Sequence, residues 1–171
     1  MAEGLQSSDS HRAAWSLATD ETTGAGIPCP PGWTRVERSV ASIALVAPHP
    51  PDDSTGATIT VSVERPEHAY AKLPAYSDRT LERLGHALTD VSVLSCDAAR
   101  VSGREGRRLV AVYRDDGRAL TLQKWWTSVD GLATTLTGTC AVEDDCYTAP
   151  IFEVVAAGLL LPTRANSTTS D

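Results

Sequence analysis

Residues 107–140 read RRLVAVYR-DDG-RALTLQKWWTSV-DG-LATTLTGTC, and this stretch decides the fold. Runs rich in Val, Leu, Thr, Tyr and Trp are separated by Asp-Gly pairs at 116–117 and 130–131. Asp-Gly between such runs signals a tight hairpin, because Asp and Gly tolerate the positive φ angles that the turn requires. The sequence therefore predicts an antiparallel meander of three strands over this stretch.

The middle strand of the meander carries the adjacent tryptophans Trp125 and Trp126. Neighbouring side chains of a strand point to opposite sides of the sheet. Leu120, Leu122 and Lys124 share the face of Trp126, so Trp125 lies on the other face. We expect one tryptophan in the core and the other on the opposite face, under a helix or available to a binding partner.

The last strand of the meander, 132–140, places Leu132, Leu136 and Cys140 inward and a row of threonines outward. An outward row of this kind is typical of a solvated sheet surface. Such a flat face can also bind a ligand or a partner strand.

The rest of the chain divides into one folded domain and two polar ends. Residues 1–26 are rich in Ser, Thr and Gly without periodicity, so a disordered N-terminal arm is expected. Residues 163–171 are expected to form a flexible tail, and residues 27–162 a single domain. Further strands are predicted at 34–37, 42–47, 58–64 and 91–99.

Apolar periodicity predicts a first helix that Ser77-Asp78 caps and that carries a stripe of leucines. Gly85 within it predicts close packing at that turn. A second helix is capped by Thr148 or Ala149, has Pro150 in its first turn and ends at Pro162. The predicted fold class is α+β: an up-and-down antiparallel sheet of about seven strands, flanked by these helices.

Composition excludes several kinds of partner. The chain has 171 residues and a formal net charge of −7, which disfavours nucleic acid and anionic membrane surfaces. No apolar run reaches the length of about 18 residues that a membrane span requires. The N-terminus lacks the basic and apolar regions of a signal peptide, so a cytoplasmic location is expected.

The cysteines at 29, 96, 140 and 146 form no CxxC pair and have no histidine at metal-binding spacing. Cys140 and Cys146 bracket the short stretch AVEDD, so a disulfide between them is geometrically possible. In a reducing compartment both would remain thiols.

No catalytic or metal-binding constellation is apparent. The G-x-S-x-G motif is absent, and the histidines at 11, 49, 68 and 86 are scattered over the chain. His49 with Asp52-Asp53, or the acidic run 143–145, has neither EF-hand nor zinc-helix spacing. Such carboxylates are typical of solvated turns. We therefore predict no enzyme activity, no metal and no cofactor.

Arginines cluster around the meander in the sequence. Three of them, Arg107, Arg114 and Arg118, are candidate contacts for an acidic partner, with Arg104 and Arg108 nearby. The neighbouring carboxylates at 105, 115 and 116 favour a mixed charged surface over an anion clamp.

The order of these features resembles the PsbP/Mog-like fold family, in particular the actinobacterial LpqN/LpqT-type and DcrB-like proteins. The resemblance covers residues 27–162 and rests on Pro-Pro-Gly-Trp at 30–33, TITVSVE at 58–64, LQKWW at 122–126 and the helix that begins near PIFEVV. It implies an antiparallel sheet flanked by helices and a role in binding. The LpqN type carries a signal peptide and a lipobox cysteine, which this sequence lacks.

The function predicted from these observations is that of a non-enzymatic, soluble binding module, an adaptor or chaperone-like accessory protein that holds a protein partner on its sheet face or in a helix–sheet groove. The alternative is a small-molecule or lipid-binding domain with a pocket between the C-terminal helix and the sheet. A third hypothesis, a hydrolase with a dispersed site, requires a Ser or Cys beside one of the histidines.

Overall fold

The computed structural model describes residues 14–48 and 56–162. The strands and α-helices follow one another in this order: β1 (Ser16–Thr19), β2 (Gly26–Cys29), β3 (Thr34–Arg35), β4 (Ile43–Val46), β5 (Thr58–Glu64), α1 (Leu73–Ala87), β6 (Thr89–Val101), β7 (Arg104–Asp115), β8 (Arg118–Val129), β9 (Leu132–Ala141) and α2 (Asp145–Ala157). A sheet of seven strands has the order β3-β4-β5-β9-β8-β7-β6. All of its neighbouring pairs are antiparallel, which confirms the predicted α+β fold class.

The meander predicted from residues 107–140 is confirmed as β7-β8-β9. Asp116-Gly117 and Asp130-Gly131 all have positive φ, between 46° and 78°, as the hairpin turns require. The simple up-and-down order is wrong at one place, because β5 pairs with β9 and not with β6. The chain passes through α1 to the far edge of the sheet and returns strand by strand to the centre.

The helices cover opposite faces of the sheet, and each covers one tryptophan. Trp125 packs in a core with Leu136 and Phe152 of α2, whereas Trp126 packs with Tyr76 and other residues of α1. The predicted separation of the tryptophans is confirmed. Their exposed fractions are 3% and 0%, so neither side chain is available at the surface.

Helix α1 begins earlier than predicted, at Leu73, with Pro74 in its first turn. The predicted N-cap, Ser77, lies inside the helix, where its hydroxyl donates a hydrogen bond to the Leu73 carbonyl (2.7 Å) and accepts one from Trp126 Nε1 (3.0 Å). Ser77 therefore anchors a tertiary contact. The close packing predicted at Gly85 is also wrong, since a Cβ there would meet no atom within 4 Å.

Helix α2 begins at Asp145, so Pro150 lies inside the helix and not in its first turn. The predicted end at Pro162 is also wrong, because the helix ends at Ala157. The reason is a tertiary pairing: Leu160 N donates to Gly26 O (2.7 Å), and Gly26 N donates to Leu160 O (3.1 Å). These bonds hold the chain after α2 in an extended form.

The predicted disordered arm is wrong for residues 14–26, which contain β1 and the turn that joins β1 to β2 in an antiparallel hairpin. Asp20 organises its turn: the carboxylate accepts hydrogen bonds from the Thr23 hydroxyl and from the Thr22 and Thr23 amides. The Thr23 bond is the main cause that lowers the pKa of Asp20. Residues 1–13 and the predicted tail 163–171 lie outside the described residues.

Candidate functional site

A groove with a volume of about 280 Å³ lies between α1 and the sheet. Helix α1 packs on apolar residues of β7 and β8, such as Leu109 and Leu122, and the groove lies where α1 borders Ser62 of β5 and Thr135 of β9. Ser62 and Thr135 form the groove end of a row of cross-strand hydroxyl pairs that continues with Thr60–Thr137 and Thr58–Thr139. The groove therefore has a polar side and an apolar side.

Lys124 lies in the groove, between Leu122 and Trp126 on the side of β8 that faces α1. Burial lowers the pKa of its ammonium group, while the charge of Glu64 partly opposes this shift. Among the described residues, Lys124 forms no ion pair, and the carboxylate of Glu64 in the same groove pairs with Arg83. A partly desolvated cation without a direct counter-ion favours the approach of an anion.

Two hydroxyl groups lie at the Trp126 end of the groove. The Tyr76 hydroxyl and Thr135 Oγ1 are 3.2 Å apart and share a hydrogen bond. Burial is the main cause that raises the pKa of Tyr76 to about 12. A tyrosine is protonated at neutral pH even at its ordinary pKa of about 10, so the Tyr76 hydroxyl has a hydrogen to donate.

Arg83 of α1 and Glu64 of β5 form an ion pair at the mouth of the groove, with 3.3 Å between Nη1 and Oε1. Their side chains are 52% and 38% exposed, so water screens the pair and the pair adds little to stability. Its effect on the groove is electrostatic, since Arg83 balances the charge of the carboxylate that lines the groove.

The sequence placed Lys124 on the face of Leu120, Leu122 and Trp126 without assigning it a role. A lysine on a core-facing side of a strand was the one signal for the groove. Tyr76 gave no signal, because it precedes the predicted cap Ser77-Asp78 in the sequence, whereas the structure places Tyr76 inside α1.

The predicted arginine contacts do not form one site. Arg107 and Arg114 lie seven residues apart on β7, which is about 24 Å in an extended strand. Arg114 and Arg118 belong to the neighbouring ends of β7 and β8. A role for Arg107, Arg114 or Arg118 in binding stays a prediction.

Arg108 contacts both α2 and residues of the sheet. Its guanidinium pairs with Glu153 of α2, donates a hydrogen bond to Gln123 Oε1 (3.1 Å) and lies 5.6 Å from the centre of the Trp125 ring. These contacts join α2 to the sheet.

Cys140 and Cys146 are free thiols, so the possible disulfide is not formed. Cys140 is buried, whereas Cys146 is exposed on α2. Burial is the main cause that raises the pKa of Cys140 to about 12, and the charge of Asp145 adds to this shift.

We expect the free energy of unfolding to fall between pH 9 and pH 12. In the folded protein the pKa of Cys140 is raised from 9.0 to about 12, and the pKa of Tyr76 is raised from 10.0 to about 12. The folded state keeps protons that the unfolded chain loses, so alkaline pH favours unfolding by about 1.4 kcal/mol per pH unit and proton. The stabilisation is complete below pH 9 and is lost as the pH approaches 12.

Urea denaturation under reducing conditions measures this dependence. Burial lowers the pKa of Lys124, and this shift alone would make the free energy of unfolding rise with pH. The decisive measurement is therefore the pH dependence of each variant compared with that of the parent protein. Cys140→Ala should flatten the alkaline slope, and Cys146→Ala should keep the slope of the parent protein. An unchanged slope in Cys140→Ala would contradict the expectation.

The sequence predicts no catalytic or metal site, and the structure shows where some of the histidines, cysteines and carboxylates lie. No hydrogen bond in residues 14–48 and 56–162 joins His68 or His86 to a serine or cysteine. His, Cys, Asp and Glu side chains of the same residues do not gather in any group of three or more that could hold a metal ion. His49, Asp52 and Asp53 lie outside the described residues.

Strand β6 is a second open surface. It forms one edge of the sheet and is thirteen residues long. Its pairing with β7 is irregular between Thr89 and Ser95 and regular from Ser95 to Val101. Val93 and Leu94, at the irregularity, are 49% and 64% exposed.

The arrangement of sheet and helices is the PsbP/Mog-like α+β fold. Solved structures that share it include LpqN of Mycobacterium tuberculosis, described as involved in cell envelope biogenesis (16% identity, TM-score 0.63, 90% of this chain and 88% of LpqN covered). The cyanobacterial PsbP of Synechocystis sp. PCC 6803 matches with 13% identity and a TM-score of 0.62, over 92% of this chain and 98% of that one. The Ran-binding protein Mog1p of Saccharomyces cerevisiae matches with 8% identity and a TM-score of 0.60, over 87% and 96%.

No protein-family model matches the chain, and none of the curated proteins matches it. At these sequence identities, the similarity to the solved structures shows a shared fold and nothing more. Neither α1 nor α2 is long and apolar enough to cross a membrane, and no other α-helix lies in the described part of the chain.

Proposed function

We propose that the chain is a non-enzymatic binding protein that holds a protein partner by pairing an extended segment of that partner with β6. The observation that carries the proposal is the uncovered outer edge of this strand. An edge strand presents a row of unpaired N–H and C=O groups, which is a template for another strand.

The composition of β6 supports this function. Proteins protect edge strands with charged side chains (above all Lys), Pro, β-bulges or short length. In β6 the bulges lie between Thr89 and Ser95, whereas the stretch Ser95–Val101 pairs regularly and contains neither Lys nor Pro, with charges only at Asp97 and Arg100. The strand also exceeds the usual length of about 5–6 residues. The exposed side chains of Val93 and Leu94 add an apolar contact beside the regular stretch Ser95–Val101. A binding role also agrees with the fold's occurrence in Mog1p, a Ran-binding protein.

The alternative of a pocket between α2 and the sheet meets a filled interface beneath α2 itself, whereas a pocket of about 240 Å³ lies on the same face of the sheet beside Leu161 and Pro162. Phe152, Val155 and Leu136 are fully buried beneath α2 and fill the interface with Trp125. A small-molecule site is better supported on the opposite face, beneath α1.

Site-specific photo-crosslinking in cells tests the proposed function. A photoreactive amino acid at Ser95, Asp97 or Ala98 should give a discrete adduct that unlabelled protein competes away. The matched position is Val154, exposed on α2, which should give no such adduct. Leu94→Lys should reduce the adduct, whereas Val154→Lys should not. Adducts of equal yield at Val154 and on β6, or none on β6, would contradict the proposal.

A further inference from the structure

We propose that the groove beneath α1 binds a small monocarboxylic acid, with the carboxylate at Lys124 and an apolar tail against the leucines of the groove. This inference goes beyond the proposed function, since it concerns another ligand and another surface. It does not depend on β6.

Charge complementarity selects the carboxylate. Lys124 and Arg83 contribute positive charge, and Glu64 is the one carboxylate among the residues that line the groove. Glu64 pairs with Arg83, and its charge also acts on Lys124 and on the Tyr76 hydroxyl. With two cations and one carboxylate, the lining still keeps a net positive charge that a ligand carboxylate can balance. The hydroxyl groups of Tyr76 and Thr135, 3.2 Å apart, are near enough to each other to serve one ligand group together.

The opposite part of the groove selects an apolar tail. Leu84 of α1, Leu88 directly after α1 and Leu122 of β8 line it. Leu122 is two residues from Lys124 on the same face of β8, which is about 7 Å in a strand. A tail that starts at the carboxylate therefore meets the leucines after a few carbon atoms.

The volume limits the ligand to a small one. The groove's volume of about 280 Å³ equals that of roughly nine water molecules at about 30 Å³ each. This corresponds to about ten non-hydrogen atoms and lies just below the usual range of ligand pockets, ~300–1,000 Å³. Octanoate has a suitable size and is the probe of choice.

Isothermal titration of the full chain with octanoate, octanol and acetate tests separately whether binding requires the carboxylate and whether it requires the apolar tail. Octanoate should bind at least about tenfold more tightly than octanol, because a charge-assisted hydrogen bond contributes about 1.5–3 kcal/mol. Acetate, which lacks the tail, should also bind more weakly than octanoate. Equal binding of octanol and octanoate would overturn the proposal, as would the absence of octanoate binding.

The chain offers a matched pair of variants, since Lys72 and Lys124 are its two lysines. Lys124→Met should weaken octanoate binding about tenfold to a hundredfold. Lys72→Met, at an exposed position before α1, should leave binding unchanged. Equal effects of the two variants would overturn the assignment of Lys124.

A second measurement needs no substitution. In protein labelled with ¹³C at the lysine Cε atoms, octanoate should shift the Lys124 signal and leave the Lys72 signal in place. A shift of neither signal, or of both, would overturn the proposal. Tighter binding of a peptide with a C-terminal leucine carboxylate than of octanoate would also overturn it, because the ligand would then be a protein terminus.

Discussion

Replacement of Gly138 by alanine is expected to lower the free energy of unfolding by about 2–3 kcal/mol. An ideal Cβ at Gly138 would lie 2.7 Å from Cγ and Cδ2 of Phe152. The Phe152 ring is fully buried between α2 and the sheet, so it can move away only by disturbing the core around Trp125. Gly138→Val adds further atoms at this contact and should leave the chain unfolded at room temperature.

Chemical denaturation of matched glycine variants checks this expectation. Gly85→Ala places the same methyl group on α1 with no atom within 4 Å, and it should stabilise the protein by up to about 1 kcal/mol. Phe152→Leu should recover part of the loss in the background of Gly138→Ala. Equal free energies of unfolding for Gly138→Ala and the parent protein would contradict the packing of Phe152 on Gly138.

Replacement of Trp126 by alanine is expected to cost about 3–5 kcal/mol of unfolding free energy. The indole is fully buried beneath α1, and its Nε1 donates a hydrogen bond to Ser77 (3.0 Å). Trp126→Phe keeps most of the packing and loses this hydrogen bond, so a loss of about 1–2 kcal/mol is expected. The cavity left by alanine would also join the groove at Lys124.

The matched control is Trp15→Ala, because Trp15 is 43% exposed near β1. It should change the free energy of unfolding by about 0.5 kcal/mol or less. The double variant Trp126→Phe with Ser77→Ala should cost less than the sum of the single changes, since both remove one hydrogen bond. Additive effects would mean that the bond does not join α1 to the sheet.

The open surfaces of the protein lie on separate elements and can be tested independently. The β6 edge offers backbone groups to a strand, whereas the α1 groove offers one cation and an apolar wall to a small acid. A charge at Leu94 should leave octanoate binding unchanged, and Lys124→Met should leave the β6 crosslinks unchanged. The failure of one proposal is therefore distinguishable from the failure of the other.

Several predictions from the sequence were wrong for a common reason. Ser77 was predicted as a cap because Ser is a favoured N-cap residue, yet in the structure its hydroxyl accepts a hydrogen bond from Trp126. Pro162 was predicted as the end of α2, but the pairing of Leu160 with Gly26 ends the helix earlier. In each case a contact between residues far apart in the sequence overrides a local preference.

The sequence by itself determined the β7-β8-β9 meander and the opposite faces of Trp125 and Trp126, because tight turns and strand alternation depend on neighbouring residues. The tertiary structure decided the pairing of β5 with β9, the hairpin of β1 and β2, and the groove at Lys124. These features depend on which distant segments meet. The sequence pattern of a lysine between apolar neighbours is the same whether or not a helix leaves a groove above that lysine.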